Sequence, residues 1–279
     1  MRLADTLARV GQPGQAKDAY GDALAVAATE SQQAEATIGV AREIEKSGQW
    51  QESIRMLVGA LGSISDTVGR VDLLDALAST AKRHKQNLLA VMALEECIAL
   101  SPGDTDKLFD LGYSADDANF SRVSLTAYRQ LLRIAPKHAG GLNNLGVTYQ
   151  KLGLLALAVE RYEESSELGN TLADANLAYM LINAGFLSAA RSRLAVASAS
   201  KDVHDNVHSA LVRTSEKQKE EGQTLLELSE GARLSVDRLI TFGDSLFSGR
   251  VVGQIEGTWS EPGGKAFQLS VVGGHVTGQ

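Results

Sequence analysis

A short helical phrase recurs along this chain about every 34 residues, and that recurrence constrains the fold more than any single residue does. Its clearest copy is Leu142-Asn-Asn-Leu145-Gly146-Val-Thr-Tyr149, followed by Gly153, Ala158, Tyr162 and Leu168. One period earlier the frame meets Leu108, Leu111, Gly112, Ala115, Ser124, Tyr128, Leu131, Ile134 and Pro136. Two periods earlier it meets Leu74, Leu77, Ala78, Ala81, Ala90, Leu94, Cys97, Leu100 and Pro102. Apolar residues three, four and seven apart run between these landmarks, and Gly or Pro breaks them every 15–20 residues. That pattern predicts helix–turn–helix units stacked in one direction, a solenoid.

Small residues belong where the two helices of a unit cross closely. The frame puts them at Ala41, Ala78, Gly112, Gly146 and Ala178 on the first helix, and at Ser53, Ala90, Ser124, Ala158 and Ala190 on the second. Large apolar residues should fill the ridges around each crossing: Leu77, Leu111, Leu145 and Leu177 against Leu57, Leu94, Tyr128, Tyr162 and Leu194. No unit can bury its apolar face alone, so stability is expected from stacking.

These residues resemble the tetratricopeptide (TPR) family, whose pattern is a large apolar residue, Leu-Gly and Tyr on helix A, Gly at the turn, then Ala, Tyr and Ala on helix B with Pro after it. The resemblance covers residues 1–204, with repeats starting near 34, 71, 105, 139 and 171 after a partial first repeat (Leu3, Ala4, Leu7, Gly11, Ala16, Tyr20, Ala23). It implies an all-α solenoid of antiparallel helix pairs in a right-handed superhelix. Because the first repeat lacks the start of its helix A, the chain reads as an excerpt of a longer array. Residues 205–248 are expected to form irregular capping helices, with Leu225, Leu228, Ala232, Val236, Leu239 and Leu246 at helical spacing. From Gly249 the texture is β-branched and aromatic, with turns at Pro262-Gly-Gly264 and Gly273-Gly274. Residues 249–279 are therefore expected to form a short β-hairpin or meander that begins a truncated domain.

Bulk properties narrow the function. A formal charge of −7 and a pI near 5.3 argue against nucleic acid as the main partner. No run of about 18 apolar residues is present to span a bilayer. One cysteine, Cys97, excludes an intrachain disulfide and is read as a small packing residue. A cytoplasmic setting is the plain expectation. His204 and His208, read as two imidazoles on one helical turn, echo a zinc helix, but Asp205 is short for the required Glu and no third ligand is close, so no metal and no cofactor is expected.

By the resemblance, the concave groove is lined by helix A residues: Arg42, Asp72, Asp75, Lys82, Arg83, Asp106, Phe109, Tyr113, Asp117, Asn143, Lys151, Tyr179 and Asn183. Such a mixed surface suits a peptide with apolar anchors and charges. One TPR subclass clamps the C-terminal carboxylate of heat-shock chaperones. Asn143 occupies a suitable place for it, but Val147 stands where the second Asn would be. In some long TPR arrays equivalent asparagines hold a peptide backbone. Asn144 and Asn176 match that series, which Asp110, Ala76 and Gly39 interrupt.

The expected function is a non-catalytic scaffold binding a protein or peptide partner in the groove. The alternative is a docking or regulatory arm of a larger enzyme. Phe242-Gly243-Asp244-Ser245-Leu246 resembles the first block of GDSL esterases, in which Ser245 would be the nucleophile at the end of a strand over 239–242. The enzyme's remaining parts would lie beyond residue 279.

Overall fold

The computed structural model describes residues 1–247 and the strands at 257–260, 266–272 and 275–278. It divides into two compact units, Met1–Thr214 and Ser215–Gln279. In the first unit the helices come in consecutive antiparallel pairs: α1 (Arg2–Arg9) with α2 (Pro13–Ala25), α3 (Glu30–Lys46) with α4 (Trp50–Leu61), and α5 (Thr67–Arg83) with α6 (Asn87–Leu100). Three more follow: α7 (Thr105–Asp117) with α8 (Ser121–Ile134), α9 (Ala139–Lys151) with α10 (Leu155–Glu167), and α11 (Thr171–Asn183) with α12 (Leu187–Ser198). The helix α13 (Asp205–Phe247) closes the series.

The two helices of a pair start by different means. Each first helix from α3 onward has a side-chain N-cap: Thr29, Asp66, Asp104, His138 and Asn170 each accept a backbone N–H from the first turn. The second helices lack such caps and begin directly after a tight turn. That turn needs one residue in the left-handed region. Gly48, Gly153 and Gly185 supply it with φ of 86°, 75° and 83°, but Lys85 (57°) and Asn119 (61°) hold the same conformation in their pairs.

Packing follows the repeat frame. Every small crossing residue and every ridge residue predicted from it is buried. The glycines mark the closest crossings. A Cβ on Gly112 would stand 2.6 Å from the ring of Tyr128, and one on Gly146 would stand 2.7 Å from that of Tyr162. Tyr128 and Tyr162 are fully buried, and burial pushes both phenols well above their ordinary pKa. Cys97 is buried in the same core, with Sγ 3.8 Å from the Val71 carbonyl, and burial raises its thiol to about 11. It is a packing residue.

The spacing of 37 at the start of the array has a structural cause. Helices α3 and α5 are 17 residues long, against 13 in α7, α9 and α11. The extra turn lies at their N-terminal ends. In α3 it brings Glu30 to the entry of α5, where its carboxylate accepts the backbone N–H groups of Ser65 and Asp66 at 2.7 and 2.6 Å. Those bonds hold the Glu30 carboxyl below its usual pKa.

Beyond α12 the chain departs from irregular capping helices. Residues 205–247 form one continuous helix. Its first ten residues cap the array: Val207 and Ala210 join the core cluster of α11 and α12, and Thr214 is buried. His204 lies just before the helix and not on it. Its Nδ1 accepts the Asn206 N–H at 3.1 Å, and its own N–H is held by Thr171 Oγ1 at 2.9 Å. The zinc-helix arrangement is therefore not formed. Leu239–Phe242 and Ser245 also lie within α13, so the strand that would present an esterase nucleophile is not there. In the second unit β1 (Gly257–Ser260), β2 (Ala266–Val272) and β3 (His275–Gly278) pair antiparallel in the order β1-β2-β3, with Trp259 opposite Phe267 and Val271 opposite Val276. The turns expected at 262–264 and 273–274 lie outside the described residues.

Candidate peptide-binding face

The residues predicted to line the groove sort into three groups. The first group converges. Arg42, Asp75 and Arg83 border two adjoining clefts between α3 and α5, of about 240 Å³ and 110 Å³. The larger cleft is closed by Met1, Asp5 and Tyr20 from the first pair, together with Glu35 and Asp72. The smaller runs on past Ser79 and Thr80 to Arg83. Ile38, Arg42, Asp75 and Ala76 border both, so the clefts form one depression whose lining is mainly polar, with Ile38 and Ala76 as its shared apolar part.

Charge around this depression is unevenly matched. Lys107 is paired with Asp75. Burial is the largest single effect and disfavours the lysine's charge, but the hydrogen bond Lys107 donates to Asp75 and the nearby negative charges together outweigh it and raise the Lys107 pKa. Among the described residues Asp72 has no such ion pair, and burial followed by repulsion from Asp75 pushes its pKa up. Arg42 is exposed and makes no ion pair among the described residues. At the far rim Glu45 accepts two hydrogen bonds from Arg83, at 2.8 and 2.6 Å, and contacts His84 at 2.9 Å. The ring of His84 stacks on Trp50 with centroids 5.0 Å apart. Arg83 holds the Glu45 carboxyl below its ordinary pKa. This Glu45–Arg83–His84–Trp50 cluster was missed in sequence because its members lie up to 39 residues apart.

The second group lies on the same helical face but is already engaged. Lys82 pairs with Asp110 at 3.1 Å, and its ammonium lies 5.5 Å from the ring centre of exposed Tyr113. Lys151 reaches Asp116 at 3.6 Å. Asn183 is exposed at the end of α11.

The third group departs from the expectation. Asn143 is only 2% exposed. Its amide donates to Asn144 Oδ1 at 3.0 Å, and its carbonyl accepts from Asn176 at 2.9 Å. Asn144 in turn donates to the Tyr128 hydroxyl at 3.1 Å. The three asparagines thus bond to one another across successive pairs. Phe109 is likewise an inter-repeat contact, 6.0 Å from Tyr128 and 5.3 Å from His138 between ring centroids. Tyr179 packs against the α11–α12 core. Hydrogen bonding takes Asn143 out of a solvent-facing groove, while Phe109 and Tyr179 are half-buried.

No family model matches the chain, and no curated protein matches it in sequence. Solved structures do match. One crystal structure of MamA superposes with a TM-score of 0.50 at 21% identity, over 60% of this chain and 95% of that one. A second structure of MamA gives 0.50 at 21% identity, over 62% and 91%. YrrB, described as a TPR protein with an unusual peptide-binding site, gives 0.48 at 22% identity, over 60% and 83%. The fold is that of a TPR protein. In TPR terms α3, α5, α7, α9 and α11 are the A helices of five complete repeats, and the depression lies between the A helices of the first two. No described helix is long and apolar enough to cross a membrane. No group of three metal-ligating side chains occurs among the described residues.

Proposed function

We propose that the array is a protein-interaction scaffold that holds an extended peptide segment of a partner on the A-helix face, seated at the α3–α5 depression. The observation that supports this reading is the join of the two clefts over Ile38 and Ala76, with exposed Arg42 at their shared rim. The small apolar patch of Ile38 and Ala76 offers a contact for one side chain, and the charges around it set register and orientation. Carboxylates outnumber bases among the residues lining the larger cleft, with Asp5, Glu35, Asp72 and Asp75 against Arg42, and Lys107 is already paired with Asp75. A peptide with an apolar anchor next to a basic residue suits that balance. Tyr113, Lys82, Lys151 and Asn183 extend the face toward later repeats.

Selection from a displayed library of random peptides against the full chain tests this. Selected peptides should be enriched in an apolar–basic pair. Arg42→Glu should change the selected consensus, and Asp75→Ala with Asp72→Ala should weaken the wild-type peptides at least about tenfold, or about 1.4 kcal/mol. Both variants should unfold within a few degrees of the parent. Peptides that bind all variants equally would remove the depression as the site.

A further inference from the structure

Past residue 214, α13 carries an apolar stripe exposed to solvent. Leu225, Leu228, Val236 and Leu239 are 67%, 66%, 53% and 70% exposed, and Ala232 lies on the same line. The steps between them are three, four, four and three residues. That averages 3.5, the spacing of a helix that packs on another helix, and exposed Leu226, Ile240 and Phe242 widen the apolar face on either side of it. The N-terminal end of the stripe is marked by Glu221, which falls on the same line one turn earlier.

The stripe is symmetric about its middle. Leu228 and Val236 each lie four residues from Ala232, and Leu225 and Leu239 each lie seven. A two-fold axis requires this kind of self-complementarity, in which residue i meets j and j meets i. We propose that two copies of this chain associate through α13 as an antiparallel helix pair centred on Ala232. Leu225 then meets the second copy's Leu239, and Leu228 meets its Val236. Ala232 meets itself, where its small side chain lets the helices approach.

Charge selects the same orientation. Residues 220–230 carry four glutamates and no base, whereas residues 233–242 carry two arginines and one aspartate. An antiparallel pair sets each acidic end beside the other copy's arginines. A parallel pair sets the glutamate-rich ends side by side, which is unfavourable. The segment from Leu225 to Phe242 is about 27 Å long at 1.5 Å per residue, enough for five seam layers. Left uncovered, a leucine stripe of this length is an aggregation liability for a single chain.

Sedimentation equilibrium on the full chain should give a dimer. Leu228→Lys with Leu239→Lys should give a monomer whose helical circular dichroism and thermal transition match the parent, because both side chains are exposed. Orientation is read by cysteine pairing, since Cys97 is buried. Under mild oxidation a mixture of Leu225→Cys and Leu239→Cys chains should form mainly the crosslink between the two variants. A parent chain that stays monomeric up to its solubility limit overturns the proposal. So does a dimer that survives the double lysine variant, or crosslinks that form mainly between identical cysteines.

Discussion

The first two complete repeats and the later three use the same frame for opposite ends. In the early repeats α3 and α5 are each a turn longer, their crossings use Ala41 and Ala78, and the space between the A helices stays open, rimmed by Arg42, Asp72 and Asp75. In two of the later repeats Gly112 and Gly146 bring the pair close around a buried tyrosine, and Asn143, Asn144 and Asn176 tie successive A helices together. Side chains that could have faced a ligand there bond to one another. One end of the array offers a surface, and the other supplies rigidity.

The sharpest way to break that contrast is at a glycine crossing. Gly146→Leu should destabilise the chain by about 3 kcal/mol, the upper end of overpacking costs, because the Tyr162 ring stands where the new Cβ must go. Thermal denaturation measures it, and adding Tyr162→Ala should recover part of the loss. Next is Asn143→Ala. It strands the Asn176 amide in a buried setting and should cost about 1–2 kcal/mol, whereas Tyr113→Ala on the same face should stay within about 0.5 kcal/mol. If Asn143→Ala is as harmless as Tyr113→Ala, the later repeats are not the rigid half.

The early repeats respond to pH. The Glu45 carboxyl is held below its ordinary value by Arg83 in the folded state. Its contribution is therefore fully present above the unfolded Glu pKa of about 4.3 and is lost as pH falls through the lower folded value. Glu45→Gln should flatten this part of the acid limb in a plot of melting temperature against pH. The smallest effect is expected at Lys85→Gly. Replacing the strained left-handed lysine should raise stability by roughly 0.5–1 kcal/mol, less than the full left-handed penalty because glycine also loosens the unfolded chain.

What was legible in the sequence was whatever the repeat requires in every copy. Ala78, Gly112, Gly146, Leu145 and Tyr162 announce their places because the same crossing recurs, and all of them are buried as expected. The exposure of a helix A side chain was not legible. Asn143 and Tyr113 stand one turn apart in equivalent frames, and only the presence of Asn176 across the repeat boundary makes one of them internal. The Glu45–Arg83 pair was hidden for the same reason. The extra turns of α3 and α5 showed only as a drift in spacing, because helical periodicity continues smoothly through them. His204 misled because a residue that caps a helix and one inside its first turn read alike in sequence.

The left-handed turns have a consequence for how such a chain can grow. Those at Gly48, Lys85, Asn119, Gly153 and Gly185 join the two helices within a pair, whereas Gly169 lies between two pairs. The links between pairs are bound more tightly: Gln130 donates to the Pro102 carbonyl across 28 residues, and the Asn170 side chain caps α11 while donating to Ser165. A flexible insert at Lys85 lengthens an exposed connection without altering how neighbouring pairs dock, and each doubling of loop length costs only about 0.6 kcal/mol. The same insert at Pro102 pulls apart a docking surface. Foreign sequence, or a reporter, therefore has natural points of entry at the hairpin tips.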